Sequence, residues 1–290
     1  MKKITGAKMN FLIVDGYNCS SRDDLAKAGM KLAADLYLEM LQRELPRAHA
    51  DLLFPSDPSS QIPTGVALKD YDGILWTGCN ATIYENEQRV LNQIELAKRG
   101  YEVGTPQFGS CWGLQMAAYA AGGDVKANPK GREMGMARRV HLTPQGRMHP
   151  MMTGRAEVFE GFISHVDEVT SLPRGSQRLA TNDWTRVQAI AVKHKKGEFW
   201  GVQYHPEYDL HEMARLTVAR ESKLIPIGFY RDHDDLMTHV DRMEALHAEP
   251  HRKDLRWQLV IDDDVLDPGI RTTEFRNWIQ HLILPRAAKR

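Results

Sequence analysis

The stretch PQFGSCWGLQ at residues 106–115 decides the fold, because it predicts a short strand, a sharp turn at Cys111 and the start of a helix. Glycines two positions before and two positions after Cys111 give the room that a tight, strained turn needs. Such a turn presents the sulfur at the edge of the sheet, where ligands bind in open α/β folds. The partial positive charge at the start of the following helix favours the thiolate. Cys111 is therefore a candidate nucleophile, although a buried cysteine at a tight turn would leave the same pattern.

Strand-like and helix-like segments alternate along the first half of the chain. Short apolar runs that end in a turn predict strands, whereas apolar positions at helical spacing predict helices. We expect strands at 9–14, 51–54, 72–76 and 106–109, and helices at 22–45, 85–99 and 114–121. Pro46 stops the first helix, and Gly100 takes the C-cap position of the second. This alternation predicts an α/β fold with a mostly parallel twisted sheet flanked by helices on both faces.

The pattern changes after residue 124, where short strands and then helical, highly charged segments are expected. The predicted strands are 138–143, 156–159, 189–193 and 199–203, and the predicted helices are 212–222 and 274–284. We therefore divide the chain into a sheet domain at 1–215 and a mainly helical C-terminal extension at 216–290 that packs on it. The charge runs of the extension are expected to be solvated surface.

A second informative stretch, GVQYHPE at residues 201–207, follows further along the chain. We expect a strand to end at His205, and because extended chain alternates faces, His205 and Glu207 can point to the same side. Pro206 stiffens the link between them by fixing its own φ. Glu207 would then hydrogen-bond one imidazole nitrogen and hold the other towards Cys111. A lone histidine at a strand end is more often structural, but with the cysteine elbow this stretch predicts a hydrolytic triad of Cys111, His205 and Glu207.

The composition argues against several classes of partner. The 290 residues are 42% hydrophobic, enough for a buried core, and 38 Lys and Arg balance 38 Asp and Glu. This zero formal charge gives no reason to expect nucleic acid or an anionic membrane surface. No apolar run approaches the ~20 residues of a membrane span. Residues 1–6 carry charge without an apolar segment after them, so no signal peptide is expected.

The cysteines indicate the cellular compartment, and the spacing of cysteines and histidines indicates whether a metal site is expected. Three cysteines, Cys19, Cys79 and Cys111, without a secretion signal predict reduced thiols in the cytoplasm. No Cys/His cluster has the spacing of a zinc site. We therefore expect neither a metal nor another cofactor.

Taken together, these residues resemble the class I, or triad, glutamine amidotransferases, in which a cysteine elbow and a His-x-Glu stretch occur in this order. The resemblance covers roughly residues 9–215 and implies a flavodoxin-like sheet domain. It also implies that DGILWTG at 72–78 supplies an oxyanion-hole amide. By that match, the backbone N–H groups of Gly78 and Trp112 form the hole, which stabilises the charge of the tetrahedral intermediate.

The same resemblance assigns residues to substrate binding. Gln115 matches the glutamine of the elbow helix that contacts the substrate in this family. The stretch ISHVDEV at 163–169 is similar to the family's Ser-His-x-Asp-x-Val stretch. The backbone at Ser164, His165 and Val166 is therefore expected to hold the substrate's α-carboxylate and amino end.

The chain departs from the family pattern around the elbow and the glycine loop. Gln107, Ser110 and Trp112 stand where the family usually has apolar or smaller residues, and Trp76 precedes the glycine loop. We hypothesise that Trp112, Trp76 and Tyr17 line a pocket for an amine larger than ammonia. Ordinary packing of these aromatic side chains is the alternative.

The resemblance implies acyl transfer, in which Cys111 attacks a γ-carboxamide and forms a γ-glutamyl thioester that water then hydrolyses. Residues 216–290 are too few for a synthetase domain and lack a Gly-x-x-x-x-Gly-Lys-Ser/Thr phosphate loop, which favours a free-standing hydrolase of γ-glutamyl amides. A glutaminase subunit that delivers ammonia to a separate synthetase subunit would leave the same sequence. A peptidase of similar geometry and an inactive binding or regulatory module are further alternatives, against which Gln115 and the intact triad argue. The sequence leaves open whether the protein forms a homodimer.

Overall fold

The computed structural model describes residues 9–289. The expectation that residues 1–6 are not a signal peptide therefore lies outside the described residues. The strands are β1 Asn10–Val14, β2 His49–Leu53, β3 Gly73–Trp76, β4 Gln107–Ser110, β5 Asp124–Ala127, β6 Glu133–Leu142, β7 Val158–His165, β8 Asp167–Ser171, β9 Ser176–Thr181, β10 Ala189–His194 and β11 Gly197–Val202. The helices are α1 Cys19–Lys27, α2 Ala33–Glu44, α3 Gln88–Val103, α4 Trp112–Ala120, α5 Pro144–Met148, α6 Leu210–Ala219, α7 Glu221–Leu224, α8 His233–Ala248, α9 Lys253–Leu259, α10 Asp263–Leu266, α11 Pro268–Arg271, α12 Thr273–Trp278 and α13 Leu284–Ala287.

Nine of these strands form one sheet, in the order β2-β1-β3-β4-β11-β10-β9-β6-β7, and β5 pairs with β8 separately. The four pairings from β2 to β11 are parallel. The four pairings from β11 to β7 are antiparallel; three of them join consecutive strands, and the fourth joins β9 to β6. The predicted α/β class, with a large sheet flanked by helices, is confirmed. The sheet is mixed, and its parallel half is the part in which strands and helices alternate along the sequence.

The helices depart from the predicted bounds at two glycines. The helix expected at 22–45 is divided into α1 and α2, since Gly29 adopts a φ of +89° between them. The predicted helix end at Gly100 is wrong: Gly100 lies buried inside α3, and Gly104, with a φ of +80°, is the C-cap. A Cβ at Gly100 would stand 3.0 Å from the Gln107 side chain. Gly100 therefore serves the packing of α3 on β4 rather than the termination of the helix.

Both faces of the sheet are buried, as the apolar runs of its parallel strands require. In β1, Phe11 and Ile13 belong to one apolar cluster and Leu12 and Val14 to the other. The first cluster includes residues from the far end of the chain. The rings of Phe108 in β4 and Phe275 in α12, for example, meet edge to face with centroids 5.3 Å apart.

The predicted helical C-terminal region is present, as helices α7 to α13, and it packs on the sheet through α12. Its longest helix, α8, packs against α6 in a third apolar cluster that includes Leu236 and Val240. The division of the chain at residue 215 falls inside α6 and stays a prediction.

Two further findings concern residues 9–289 only. No helix there is long and apolar enough to cross a membrane. No group of three or more His, Cys, Asp or Glu side chains in that part of the chain is arranged so that it could hold a metal ion.

Candidate active site

Cys111 occupies the sharp turn between β4 and α4. Its φ of +50° and ψ of −107° are strained for a residue with a side chain, and its backbone N–H donates to the Val202 carbonyl oxygen at 2.8 Å. The glycine at 113 allows the helix to approach the neighbouring strand, because a Cβ there would stand 2.7 Å from the Trp76 carbonyl oxygen. The structure therefore has the elbow geometry that the glycine spacing predicts, with the cysteine largely buried.

His205 and Glu207 approach Cys111 from the loop that follows β11. The expectation that the strand ends at His205 is wrong, since β11 ends at Val202. Val202 is opposite the last residue of β4, Ser110, and the first residue of β10, Ala189, so both partner strands end their pairing there. In the loop, Nδ1 of His205 lies 2.7 Å from Oε1 of Glu207, so the two side chains do face each other. Cys111 also lies close enough to His205 to raise the pKa of the imidazole.

The environment of His205 favours its protonated form. Burial alone would lower its pKa, but the Glu207 carboxylate and the interaction with Cys111 outweigh burial and raise the pKa to about 10. The ring of Tyr208 stacks parallel to the imidazole, with centroids 4.1 Å apart. An aromatic face at that distance stabilises a cation. These contacts hold His205 as a proton donor at neutral pH.

A buried hydrogen-bond chain fixes Glu207, and sequence reasoning missed it. Ser110 Oγ donates to Oε1 of Glu207 at 2.9 Å, and the Tyr37 hydroxyl donates to Ser110 at 2.7 Å. Both hydroxyl groups are fully buried. Ser110 could have been found from its departure from the family pattern beside the elbow, whereas Tyr37 of α2 carries no signal in the sequence.

The two residues predicted to form an oxyanion hole, Gly78 and Trp112, are neighbours of Cys111. A Cβ added to Gly78 would stand 2.7 Å from Cε1 of His205 and 3.6 Å from the Cβ of Cys111. Trp112 is the first residue of α4, and an N–H in the first turn of a helix has no acceptor within that helix. Their role in an oxyanion hole stays a prediction.

The predicted substrate-binding residues Ser164 and Gln115 line the same cavity as the sulfur. Sγ of Cys111 is 3.8 Å from the Ser164 carbonyl oxygen. The side-chain amide of Gln115 donates to the Asp167 carbonyl oxygen at 2.7 Å and to the Gln203 side chain at 3.2 Å. Gln115 thus joins the elbow helix to β8, the strand that follows the one carrying Ser164.

Both ring nitrogens of His165 have hydrogen-bond partners within the protein. Its two nitrogens lie 2.8 Å from the Asp167 carbonyl oxygen and 3.0 Å from the Glu133 carboxylate. This leaves the backbone of His165 for contact with a substrate. The carbonyl oxygen of Val166, the third predicted residue, accepts the Asn128 N–H at 2.9 Å.

The hypothesis that both tryptophans line a leaving-group pocket is wrong. The Trp76 indole is fully buried and donates to Gln107 at 2.8 Å, and the Trp112 indole, also buried, donates to Gln93 at 2.8 Å. A fully buried indole needs a partner for its N–H, and these glutamines supply it inside the apolar cluster behind the elbow. Of the three aromatic residues, Tyr17 does reach the cavity wall.

A cavity of about 250 Å³ contains the sulfur and the imidazole. Its wall includes the predicted Gln115, Ser164, His165 and Val166, together with residues that sequence reasoning did not single out. These are Cys79, Asn80, Ala81, Thr82, Tyr84, Arg132, Asp167, Tyr208, Leu216, Arg220 and Lys223. The cavity is small, which suits a ligand of amino-acid or dipeptide size.

The class-I glutamine amidotransferase family matches residues 33–222, which include the elbow, the His205 loop and most of the cavity wall. This chain belongs to that family. Membership confirms the predicted resemblance and the predicted class of enzyme, an amidase that acts on carbon–nitrogen bonds. The gamma-glutamyl-L-1-hydroxyisopropylamide hydrolase of Pseudomonas sp is 33% identical to the chain, over 98% of the chain and 96% of that protein.

Other relatives match over a shorter stretch. The glutamine-hydrolysing GMP synthase of Clostridium novyi is 34% identical over 142 residues, which are 49% of this chain and 25% of the synthase. A glutamine amidotransferase structure from Thermotoga maritima superposes with a TM-score of 0.62, covering 98% of this chain and 100% of that one at 18% identity. The Thermotoga structure supports the fold alone.

Proposed function

We propose that the chain is a free-standing cysteine hydrolase of γ-glutamyl amides. The observation that carries the proposal is that Cys111, strained at the elbow, shares a small cavity with an imidazole whose other nitrogen is fixed by Glu207. In this proposal the three groups serve as the nucleophile, base and orienting group of a hydrolytic triad. The near full-length match to a hydrolase of this kind supports the free-standing form.

In the proposed reaction, the Cys111 thiolate attacks the γ-carbonyl carbon of the bound substrate. The N–H groups of Gly78 and Trp112 stabilise the oxyanion, and His205 protonates the departing nitrogen as the C–N bond breaks. The neutral imidazole then takes a proton from water, whose oxygen attacks the γ-glutamyl thioester. Glutamate leaves, and the thiolate and imidazolium are restored. Glu207 keeps the imidazole in the correct orientation throughout.

A second candidate is a glutaminase subunit that passes ammonia to a separate synthetase. The similarity to GMP synthases over half of the chain favours it, because those proteins carry further sequence beyond the shared part. Three unpaired thiols, Cys19, Cys79 and Cys111, support a cytoplasmic location for either candidate.

Product release from glutamine and from a panel of γ-glutamyl amides separates the candidates, with Cys111→Ala as the control. The proposal predicts Cys111-dependent turnover of a γ-glutamyl amide that exceeds glutaminase activity at least tenfold in kcat/KM. Slow but preferred turnover of glutamine would instead favour the glutaminase subunit. Turnover of neither compound, or turnover that persists in Cys111→Ala, would contradict both.

A further inference from the structure

The wall of the active-site cavity carries more positive than negative charge. Three cationic side chains line it, those of Arg132, Arg220 and Lys223, against one carboxylate, that of Asp167. Within residues 9–289, none of the three cations has a carboxylate oxygen at ion-pair distance. Their one side-chain hydrogen bond in that part of the chain joins Nη1 of Arg132 to Oγ of Ser164, at 3.4 Å.

These unpaired cations contrast with an arginine of α6, the helix whose C-cap is Arg220. Arg215 of α6, which faces away from the cavity, pairs with Glu244 of α8 at 2.8 Å. Burial and the charge of Arg220 lower the pKa of Arg132, and burial, Arg220 and Arg132 lower the pKa of Lys223. The three charges therefore repel one another in a partly desolvated space, and an anion bound between them would relieve that repulsion.

The three cations contact different neighbours in the cavity wall. Arg132 contacts Ser164, whose carbonyl oxygen lies 3.8 Å from Sγ of Cys111, so it stands with the residues predicted to hold the glutamyl group. Arg220 lies close enough to Tyr208, the residue that stacks on His205, for its charge to lower the pKa of that hydroxyl, and Lys223 lies within reach of the charge of Arg220. In the proposed reaction His205 protonates the leaving nitrogen, so the leaving group must lie on the His205 side.

The charges of the γ-glutamyl group can pair with only some of the charged side chains in the cavity wall. The glutamyl group has one α-carboxylate and one α-ammonium, which Arg132 and Asp167 can pair. Arg220 and Lys223 then remain without an anion. A neutral leaving amine leaves them uncompensated, and a polyamine adds a further positive charge beside them.

We propose that the preferred substrates are γ-glutamyl conjugates whose leaving amine carries a carboxylate, that is, γ-glutamyl amino acids, with Arg220 and Lys223 holding that carboxylate. This inference rests on the proposed hydrolase function and names its substrate class. The bond changes are those of the proposed reaction: the Cys111 sulfur bonds to the γ-carbon, and the C–N bond breaks. The nitrogen takes the proton of His205, so a free amino acid departs, and water releases glutamate.

The test compares γ-glutamyl-alanine with γ-glutamyl-alaninamide, which differ in the leaving group's carboxylate alone. We expect kcat/KM to favour γ-glutamyl-alanine by about tenfold or more, the size of one charge-assisted hydrogen bond. In Arg220→Gln and Lys223→Gln, measured separately and together, this ratio should fall towards one. Arg174→Gln removes an exposed cation outside the cavity wall and should leave the ratio as it is.

The outcomes separate this inference from the function on which it rests. Cys111-dependent hydrolysis of both compounds at similar rates, or faster hydrolysis of the alaninamide, would overturn the inference while the hydrolase stands. A preference for γ-glutamyl-alanine that survives the double substitution would also overturn it, because Arg220 and Lys223 would not be its source. Hydrolysis of neither compound, in a panel where no γ-glutamyl amide is turned over, would overturn the proposed function itself.

Discussion

Ser110 Oγ donates a hydrogen bond of 2.9 Å to Oε1 of Glu207, the same oxygen that lies 2.7 Å from Nδ1 of His205. The other oxygen, Oε2, is buried without a hydrogen-bond partner in the described part of the chain. The orientation of the carboxylate therefore depends on Oε1 and on the two groups that meet there. Ser110 is a positioning residue, since it acts on His205 through Glu207.

Substitution of Ser110 by Ala should lower kcat about tenfold and leave KM nearly unchanged. The change removes a buried hydrogen bond to a charged group and leaves the Tyr37 hydroxyl without its acceptor, at a cost of ~1–3 kcal/mol of unfolding free energy. Steady-state kinetics and chemical denaturation measure the two effects. Tyr37→Phe keeps the bond from Ser110 to Glu207 and should have the smaller effect on kcat. An equal loss of kcat in both variants would contradict the assigned role of Ser110.

Neutralising Glu207 should shift the basic limb of the pH–rate profile to lower pH. Glu207 and Cys111 together raise the pKa of His205 to about 10 against the opposing effect of burial. In Glu207→Gln burial remains and the carboxylate charge is lost, so His205 loses its proton at a lower pH. The basic limb of the kcat/KM profile should shift down by more than one pH unit. Glu102→Gln, an exposed carboxylate paired with Lys195, provides the control. A basic limb that stays in place in Glu207→Gln would show that His205 does not set it.

A side chain at Gly78 should impair the reaction more than the fold. The Cβ of Ala would stand 2.7 Å from Cε1 of His205, which cannot yield freely because Glu207 and Tyr208 hold its ring. We expect Gly78→Ala to lower kcat at least 100-fold and to cost ~1–3 kcal/mol of stability, the range for overpacking. Kinetics and thermal unfolding test this. Near-normal kcat in a folded Gly78→Ala protein would argue against a Gly78 amide beside the reacting carbonyl.

The position of Trp112 predicts a change in stability without a change in specificity. Its indole N–H donates to Gln93 inside the core, and its side chain is 1% exposed. Trp112→Phe should therefore cost ~1–3 kcal/mol of unfolding free energy, through the lost hydrogen bond and the space left behind. The ratio of kcat/KM between two γ-glutamyl amides should stay the same. A changed ratio would restore the discarded pocket hypothesis.

The features that the sequence predicted well are those set by residues close together in the chain. The elbow at Cys111 and the pairing of His205 with Glu207 follow from short spacings, and the parallel half of the sheet follows from alternating strands and helices. The role of Gly100 was misjudged, because only the packed structure shows that Gln107 occupies the space of its Cβ. The direction of the Trp76 side chain depends in the same way on partners distant in sequence.

The remaining parts of the site depend on long-range contacts. Tyr37 lies far from Glu207 in sequence, and nothing in its surroundings indicates that its hydroxyl reaches Ser110. Arg132 and Arg220 come from separate elements that only the fold brings to one cavity. The prediction of the strands after residue 124 was also incomplete, since β5, β8 and β9 are short, partly polar strands without a clear alternation.

The central claim is that a γ-glutamyl group is carried on Cys111 during turnover. Mass spectrometry of the enzyme, quenched with acid during hydrolysis of a γ-glutamyl amide, tests it directly. We predict a γ-glutamyl adduct on the peptide that contains Cys111, with neither adduct nor turnover in Cys111→Ala. Turnover that persists in Cys111→Ala without any adduct would contradict the claim.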